Sequence, residues 1–170
     1  MRLFIAVALP DDERAQLARY QEQVDVAGLR PARQFHVTLR FIGEQLPDDC
    51  DLDALKERLS RFCFRPFDAS LTAIGSFGSR VVWTGVSGAW QELKRNVDDA
   101  LGFPAGQDAE PGFVPHVTLF RAKMPGGSGT MDLTRFPAPP TLRFTVSHVT
   151  LYESTLTSQG PVYTALAQSI

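Results

Sequence analysis

The three histidines of this sequence all begin the same tetrapeptide: His36-Val37-Thr38-Leu39, His116-Val117-Thr118-Leu119 and His148-Val149-Thr150-Leu151. Val, Thr and Leu are each of ordinary abundance, so one histidine gains this context by chance only about once in a few thousand. The first two copies lie eighty residues apart, one in each half of a 170-residue chain. Residues i and i+2 share a face of a β-strand. His36, Thr38 and Arg40 therefore line one face of the first copy, and Phe35, Val37, Leu39 and Phe41 line the other, which is the core face. In the second copy His116 and Thr118 point out while Val117 and Leu119 point in. Each strand thus holds a titratable imidazole beside a hydroxyl on a stiff element. Two such strands facing each other across a cleft would set two imidazoles and two hydroxyls around one small ligand. That arrangement suits acid–base chemistry on a phosphodiester, with one imidazole accepting a proton and the other donating one.

These residues need a scaffold, and the chain is long enough to build a real core. Hydrophobic residues make up 44% and charged residues 21%, as in ordinary globular proteins. The length fits one domain, or two small lobes sharing an interface. Net charge is −2, whereas a protein that grips a long duplex is usually basic. Contact with nucleic acid should be local, such as a strand end in a pocket. Cys50 and Cys63 are the only cysteines, a weak case for a disulfide that favours a reducing, cytoplasmic setting. The apolar run 3–9 is too short for a membrane span, and the acidic residues behind it are wrong for a signal peptide.

The pattern along the chain predicts a strand over 2–9, then a helix opened by Pro10 and Asp11 with Leu17, Ala18, Val24 and Ala27 buried and Gly28 as its stop. Arg30-Pro31-Ala32-Arg33 leads into the first motif strand, 34–42. Pro47 and Asp48 start a second helix, with Leu52, Leu55, Leu59 and Phe62 at helical spacing. Strands over 67–74 and 81–86 form a hairpin about the turn 75–79. A third helix runs over 90–101. A Gly/Pro/acid loop, the second motif strand over 113–121 and a glycine-rich loop over 125–129 follow. That loop lacks the Gly-Lys-Ser/Thr ending of a nucleotide phosphate loop. Two closing strands span 142–152 and 161–167. The duplicated motif makes this two similar α+β lobes rather than one parallel sheet, within a single domain over 1–170.

With its two His-x-Thr-x motifs, the sequence resembles the 2H phosphoesterases, and within them the bacterial RNA 2′,3′-cyclic phosphodiesterases, also called 2′-5′ RNA ligases. The resemblance covers nearly the whole chain. Its markers are the opening Arg2-Leu3-Phe4-Ile5-Ala6-Val7, His36-Val37-Thr38-Leu39-Arg40-Phe41-Ile42-Gly43, Val82-Trp83, Pro115-His116-Val117-Thr118-Leu119 with Arg121, and Leu151-Tyr152-Glu153-Ser154. It implies two pseudo-symmetric lobes, each an antiparallel sheet with helices on its outer face, around a central cleft. It implies cofactor-free, metal-independent hydrolysis of RNA 2′,3′-cyclic phosphate ends to 2′-phosphomonoesters. A catalyst accelerates both directions, so weak reverse 2′-5′ ligation is expected from the same site, and a monomer is the expected state. In that scheme His36 is the proton donor and His116 the acceptor, while the Thr38 and Thr118 hydroxyls stabilise the phosphate oxygens.

Arginine forks onto phosphate, which makes Arg121 and Arg40 candidates. Arg40 shares the parity of His36. Strict alternation puts Arg121 on the core face, so only a bulge or strand end would turn it outward. His148 is expected to be structural; the rival is a three-histidine zinc site, which lacks supporting cysteines or carboxylates. Other readings are a phosphodiesterase acting on 2′-5′ oligonucleotides or small cyclic nucleotides, and an RNA-end-binding module with little turnover. Binding alone needs no paired acid and base. Among twelve phenylalanines, some could stack on a base.

Overall fold

A computed structural model describes residues 1–104, 112–124 and 129–170. The loops expected at 105–111 and over most of 125–129 lie outside the described residues. The chain begins with β1 (Arg2–Ala8), α1 (Asp11–Gln23), β2 (Leu29–Pro31), β3 (His36–Gly43) and α2 (Leu52–Arg61). It continues through β4 (Phe67–Phe77), β5 (Val81–Val86), α3 (Trp90–Leu101) and β6 (His116–Ala122). It closes with β7 (Arg143–Val146), β8 (Thr150–Thr157) and β9 (Gly160–Gln168). The strands follow the path β7-β4-β5-β6-β3-β1-β8-β9, with β2 added on β6, and every pairing is antiparallel.

This is the expected α+β architecture with a curled antiparallel sheet. One half is β3-β1-β8-β9 and the other β6-β5-β4-β7. They join where β3 meets β6, at the single pair Val37↔Val117. Val37, Leu39, Val117 and Leu119 are buried on the far side of the sheet, in one cluster with Leu17, Leu55, Leu59, Trp90 and Val97 from the helices. The helices therefore back the sheet and leave its other face for the cleft. No helix among the described residues is long and apolar enough to cross a membrane.

Element boundaries differ from the sequence pattern for identifiable reasons. Helix α1 stops at Gln23, because Val24 is extended (φ −88°, ψ 114°) at the start of a stretch containing two β-branched valines. Ala27 is exposed, and the buried face is Leu17 and Tyr20, whose hydroxyl donates to the Pro137 carbonyl at 2.7 Å. Helix α2 starts at Leu52 rather than near Pro47, since the Asp51 carboxylate caps it by accepting from the Ala54 amide at 2.8 Å. The short strand β2 is hidden in a proline-containing tripeptide. The expected strand over 142–152 is two: β7 pairs with β4 in one half, and β8 pairs with β1 in the other. His148 sits in the crossover between them. The expected turn 75–79 is shorter, because β4 continues to Phe77. Gly75 is needed there because the Trp83 ring lies against it, where a Cβ would collide.

The two motif strands carry the same irregularity. On β1, Ile5 faces Arg40 but Ala6 faces Thr38, leaving Leu39 as an extra residue. On β5, Val82 faces Phe120 but Trp83 faces Thr118, leaving Leu119 extra. A bulge shifts side-chain parity beyond it. Arg40 and Phe120 therefore turn inward, while Phe41 (61% exposed) and Arg121 turn outward. The expected core position of Phe41 and the expected cleft position of Arg40 are both reversed.

Arg40 is instead 6% exposed, and its Nε and a terminal nitrogen donate to the two Asp98 oxygens at 2.6 and 3.0 Å. Lys94 Nζ donates to the same carboxylate at 2.8 Å, and the Arg40 guanidinium lies 4.7 Å over the Phe103 ring. Removing Arg40 would take its two charge-assisted hydrogen bonds from the partly buried Asp98 carboxylate and leave Lys94 as its remaining cation. Arg40→Met should lower unfolding free energy in urea by about 3 kcal/mol, a loss that removing a cleft-facing surface arginine would not cause.

Candidate active site

The bulges leave His36, Thr38, His116, Thr118 and Arg121 on one face, where all five line a cleft of about 800 Å³. Pairing of Val37 with Val117 puts the two His-x-Thr faces side by side. Each histidine is held the same way. His36 Nδ1 lies 2.7 Å from the Gln34 carbonyl, and His116 Nδ1 lies 2.7 Å from the Val114 carbonyl. A carbonyl can only accept, so Nδ1 carries the hydrogen in both rings. Proton exchange with a ligand then runs through Nε2.

Aromatic rings complete the holders. Phe4 and Tyr163 each lie 5.2 Å from the His36 ring, Tyr163 edge-on. Phe77 meets the His116 ring edge-on at 4.8 Å, and Trp83 lies 5.8 Å away. The Gln34 side chain accepts from the Tyr163 amide at 2.9 Å, so one glutamine orients His36 through its backbone and ties β9 to it through its side chain. Phe4, Phe41 and Phe77, three of twelve phenylalanines, line the cleft.

Of the residues singled out from sequence, five meet in the cleft. Arg40 does not, and His148 is exposed outside it, hydrogen-bonded through Nδ1 to the Ser147 hydroxyl at 2.8 Å. Gln34, Tyr163 and Phe4 join the site without having been singled out. Phe4 belongs to the opening that marks the family resemblance, and nothing local in the sequence ties Tyr163 to a histidine more than a hundred residues away. Among the described residues, no three His, Cys, Asp or Glu side chains cluster as metal ligands would.

Electrostatics separate the cleft from an ordinary surface. Burial is the largest influence on His36 and lowers its pKa from the usual 6.5 to about 4, and the charges of Arg121 and His116 push it further the same way. The hydrogen bond to the Gln34 carbonyl opposes them. In the empty cleft His36 is thus neutral at pH 7. An anion placed among these groups favours the imidazolium and raises its pKa.

A bilobal α+β protein with a two-histidine cleft is the class that this fold and site define. The profile of the 2′-5′ RNA ligase superfamily matches residues 9–157, and the chain belongs to that family. A Thermus thermophilus protein named RNA 2′,3′-cyclic phosphodiesterase is 36% identical, covering 98% of this chain and 88% of that one. A Methanocaldococcus jannaschii protein of the same name is 29% identical over 99% of both. Among solved structures, TT0787 of Thermus thermophilus superposes with a TM-score of 0.76 at 31% identity, covering 99% of this chain and 96% of that one. Apo LigT of E. coli gives 0.77 at 26% identity, covering 98% and 95%.

NMR titration of the imidazoles should find His36 protonating near pH 4. Adding a nucleoside 2′-monophosphate should raise that value, since it introduces negative charge beside the ring. Arg121→Gln should also raise it, by removing a cation. A His36 that titrates at its ordinary value and ignores both changes would contradict this electrostatic picture.

Proposed function

We propose that the chain hydrolyses RNA 2′,3′-cyclic phosphate ends to 2′-phosphomonoesters. The observation that carries this reading is the meeting of two His-x-Thr faces in one cleft, each imidazole fixed through Nδ1. Support also comes from the relatives named RNA 2′,3′-cyclic phosphodiesterase and from E. coli LigT, solved in complex with 3′-AMP. His116 Nε2 takes a proton from water as the water oxygen attacks phosphorus. The bond from phosphorus to the ribose 3′ oxygen breaks in line, and His36 Nε2 gives that oxygen its proton. Thr38 and Thr118 donate to the non-bridging oxygens, and Arg121 faces the charge that grows there. The diester's own charge works against the burial and the neighbouring cations that hold His36 neutral in the empty cleft. With a ribose 5′-hydroxyl in place of water, the same attack produces a 2′–5′ linkage.

Turnover of a nucleoside 2′,3′-cyclic phosphate tests the reading. His36→Ala and His116→Ala should each slow it by about 10²–10⁴-fold, with the double variant scarcely slower than either single one because the two act as a unit. Thr38→Val and Thr118→Val should each cost roughly ten- to a thousand-fold. Near-normal turnover by either histidine variant would sink the mechanism.

The rate should be bell-shaped in pH and unaffected by excess chelator. One imidazole must be charged while the other is neutral, so both limbs belong to the coupled pair. Measured as kcat/KM between about pH 3 and 9, a range that takes in the free-enzyme value of His36 near 4, a rate that only rises to a plateau would show that no protonated acid is needed.

A further inference from the structure

The cleft has a second arm that the reaction above does not use. It leaves the catalytic groups on the side away from Phe41 and Phe77 and has a volume of about 160 Å³. It still touches His36, Thr118 and Arg121, then passes between β2 with its following loop and the β8–β9 turn. Arg30, Arg33 and Gln159 line it, and all three also line the surface hollow of about 330 Å³ into which it opens. No carboxylate lines either space among the described residues, although acidic side chains outnumber basic ones in the chain. The wider arm differs: it holds Glu44, 3.7 Å from Arg2.

Two independent features mark this arm as built for an anion. First, Arg30 is the cross-strand partner of Arg121 in the β2–β6 ladder. Residues directly opposite share a face, and like charges there destabilise a sheet unless something negative lies between them. Neither the Arg30 nor the Arg33 side chain has a hydrogen-bond or ion-pair partner among the described residues. Second, the backbone that carries them is clamped. The Ala32 amide donates to the Leu119 carbonyl at 2.9 Å, and the Gln21 side chain donates to the Ala32 and Leu119 carbonyls at 2.7 and 2.8 Å. The motif strand and the arginine-bearing segment are thereby one rigid unit, with Gln34 fixing the opposite wall through β9.

We infer that Arg30 and Arg33 hold the phosphate on the 5′ side of the terminal nucleotide, so that the enzyme reads a strand and not only its last residue. The inference rests on the functional reading above. In a strand with a cyclic end, the terminal phosphate sits at the histidines and the next phosphate lies one nucleotide upstream. The wide, phenylalanine-lined arm suits the terminal base, and the narrow basic arm suits the backbone. Flexible single-stranded RNA supplies this phosphate without its bases being read, which agrees with the hollow at the mouth of the arm, lined by Arg30, Pro31, Arg33, Ser158 and Gln159 and by no aromatic ring.

The test compares an RNA trinucleotide ending in a 2′,3′-cyclic phosphate with the mononucleotide of the same terminal base, using wild type and the Arg30→Gln/Arg33→Gln double variant. Wild type should show kcat/KM on the trinucleotide at least about tenfold higher, the scale of one charged hydrogen bond. The double variant should lose that advantage with mononucleotide turnover unchanged. The trinucleotide's salt dependence should flatten, by about 0.7 in log–log slope for each phosphate no longer neutralised. Equal losses on both substrates, or a retained trinucleotide advantage, would overturn the inference. Direct titration of the product trinucleotide, ending in a 2′-phosphate, is read alongside. If wild type turns over neither substrate, the hydrolase reading fails, and a titration unchanged between wild type and variant then removes the subsite as well. Binding weakened about tenfold in the variant would keep the subsite without the hydrolysis.

Discussion

The whole site depends on one pair of residues, Val37 and Val117, where β3 and β6 touch. Every other strand pairing lies within one half of the sheet, apart from the short β2, which runs on β6 beside the same seam. A close approach at this one point brings two histidines and two threonines from distant parts of the chain onto one face. Small, β-branched, fully buried valines suit the position, because the strands must approach closely while their far sides pack on the helices. A one-residue slip of either strand at this seam would turn its own histidine and threonine into the core.

The bulges at Leu39 and Leu119 decide how far that face extends. Beyond each, the side-chain alternation reverses, and this is why plain parity places Thr38 correctly and Arg40 wrongly. A sign of it is present in the chain: the first motif continues Arg40-Phe41 and the second Phe120-Arg121. If the halves are equivalent, Arg40 stands where Phe120 stands and both must be inward. Read as independent strands, the motifs hide this; read as a repeat, they expose it. Arg40 then needs a buried anion, which Asp98 of α3 supplies.

Legibility otherwise follows distance along the chain. Helices with regular apolar spacing and a hairpin with glycines in its turn are readable because their causes are local. The motif histidines are readable because their context repeats. Tyr163 beside His36, Gln34 bridging to β9 and the break at His148 are not, since each arises from pairing between strands remote in sequence. The family resemblance implies the cleft, and tertiary contacts alone supply the aromatic holders.

The strand order also governs when a molecule becomes whole. β1 is flanked by β3 on one side and β8 on the other, so the half that carries His36 stays open until the crossover and the last hairpin have been made. On the ribosome, where chains emerge gradually, the β4–β5–β6 half can assemble while its counterpart still lacks Tyr163 and half its hydrogen-bonded neighbours. A nascent chain therefore presents one motif in a settled half and the other on an exposed sheet edge. Capture of that edge by another strand during synthesis is the hazard this topology carries.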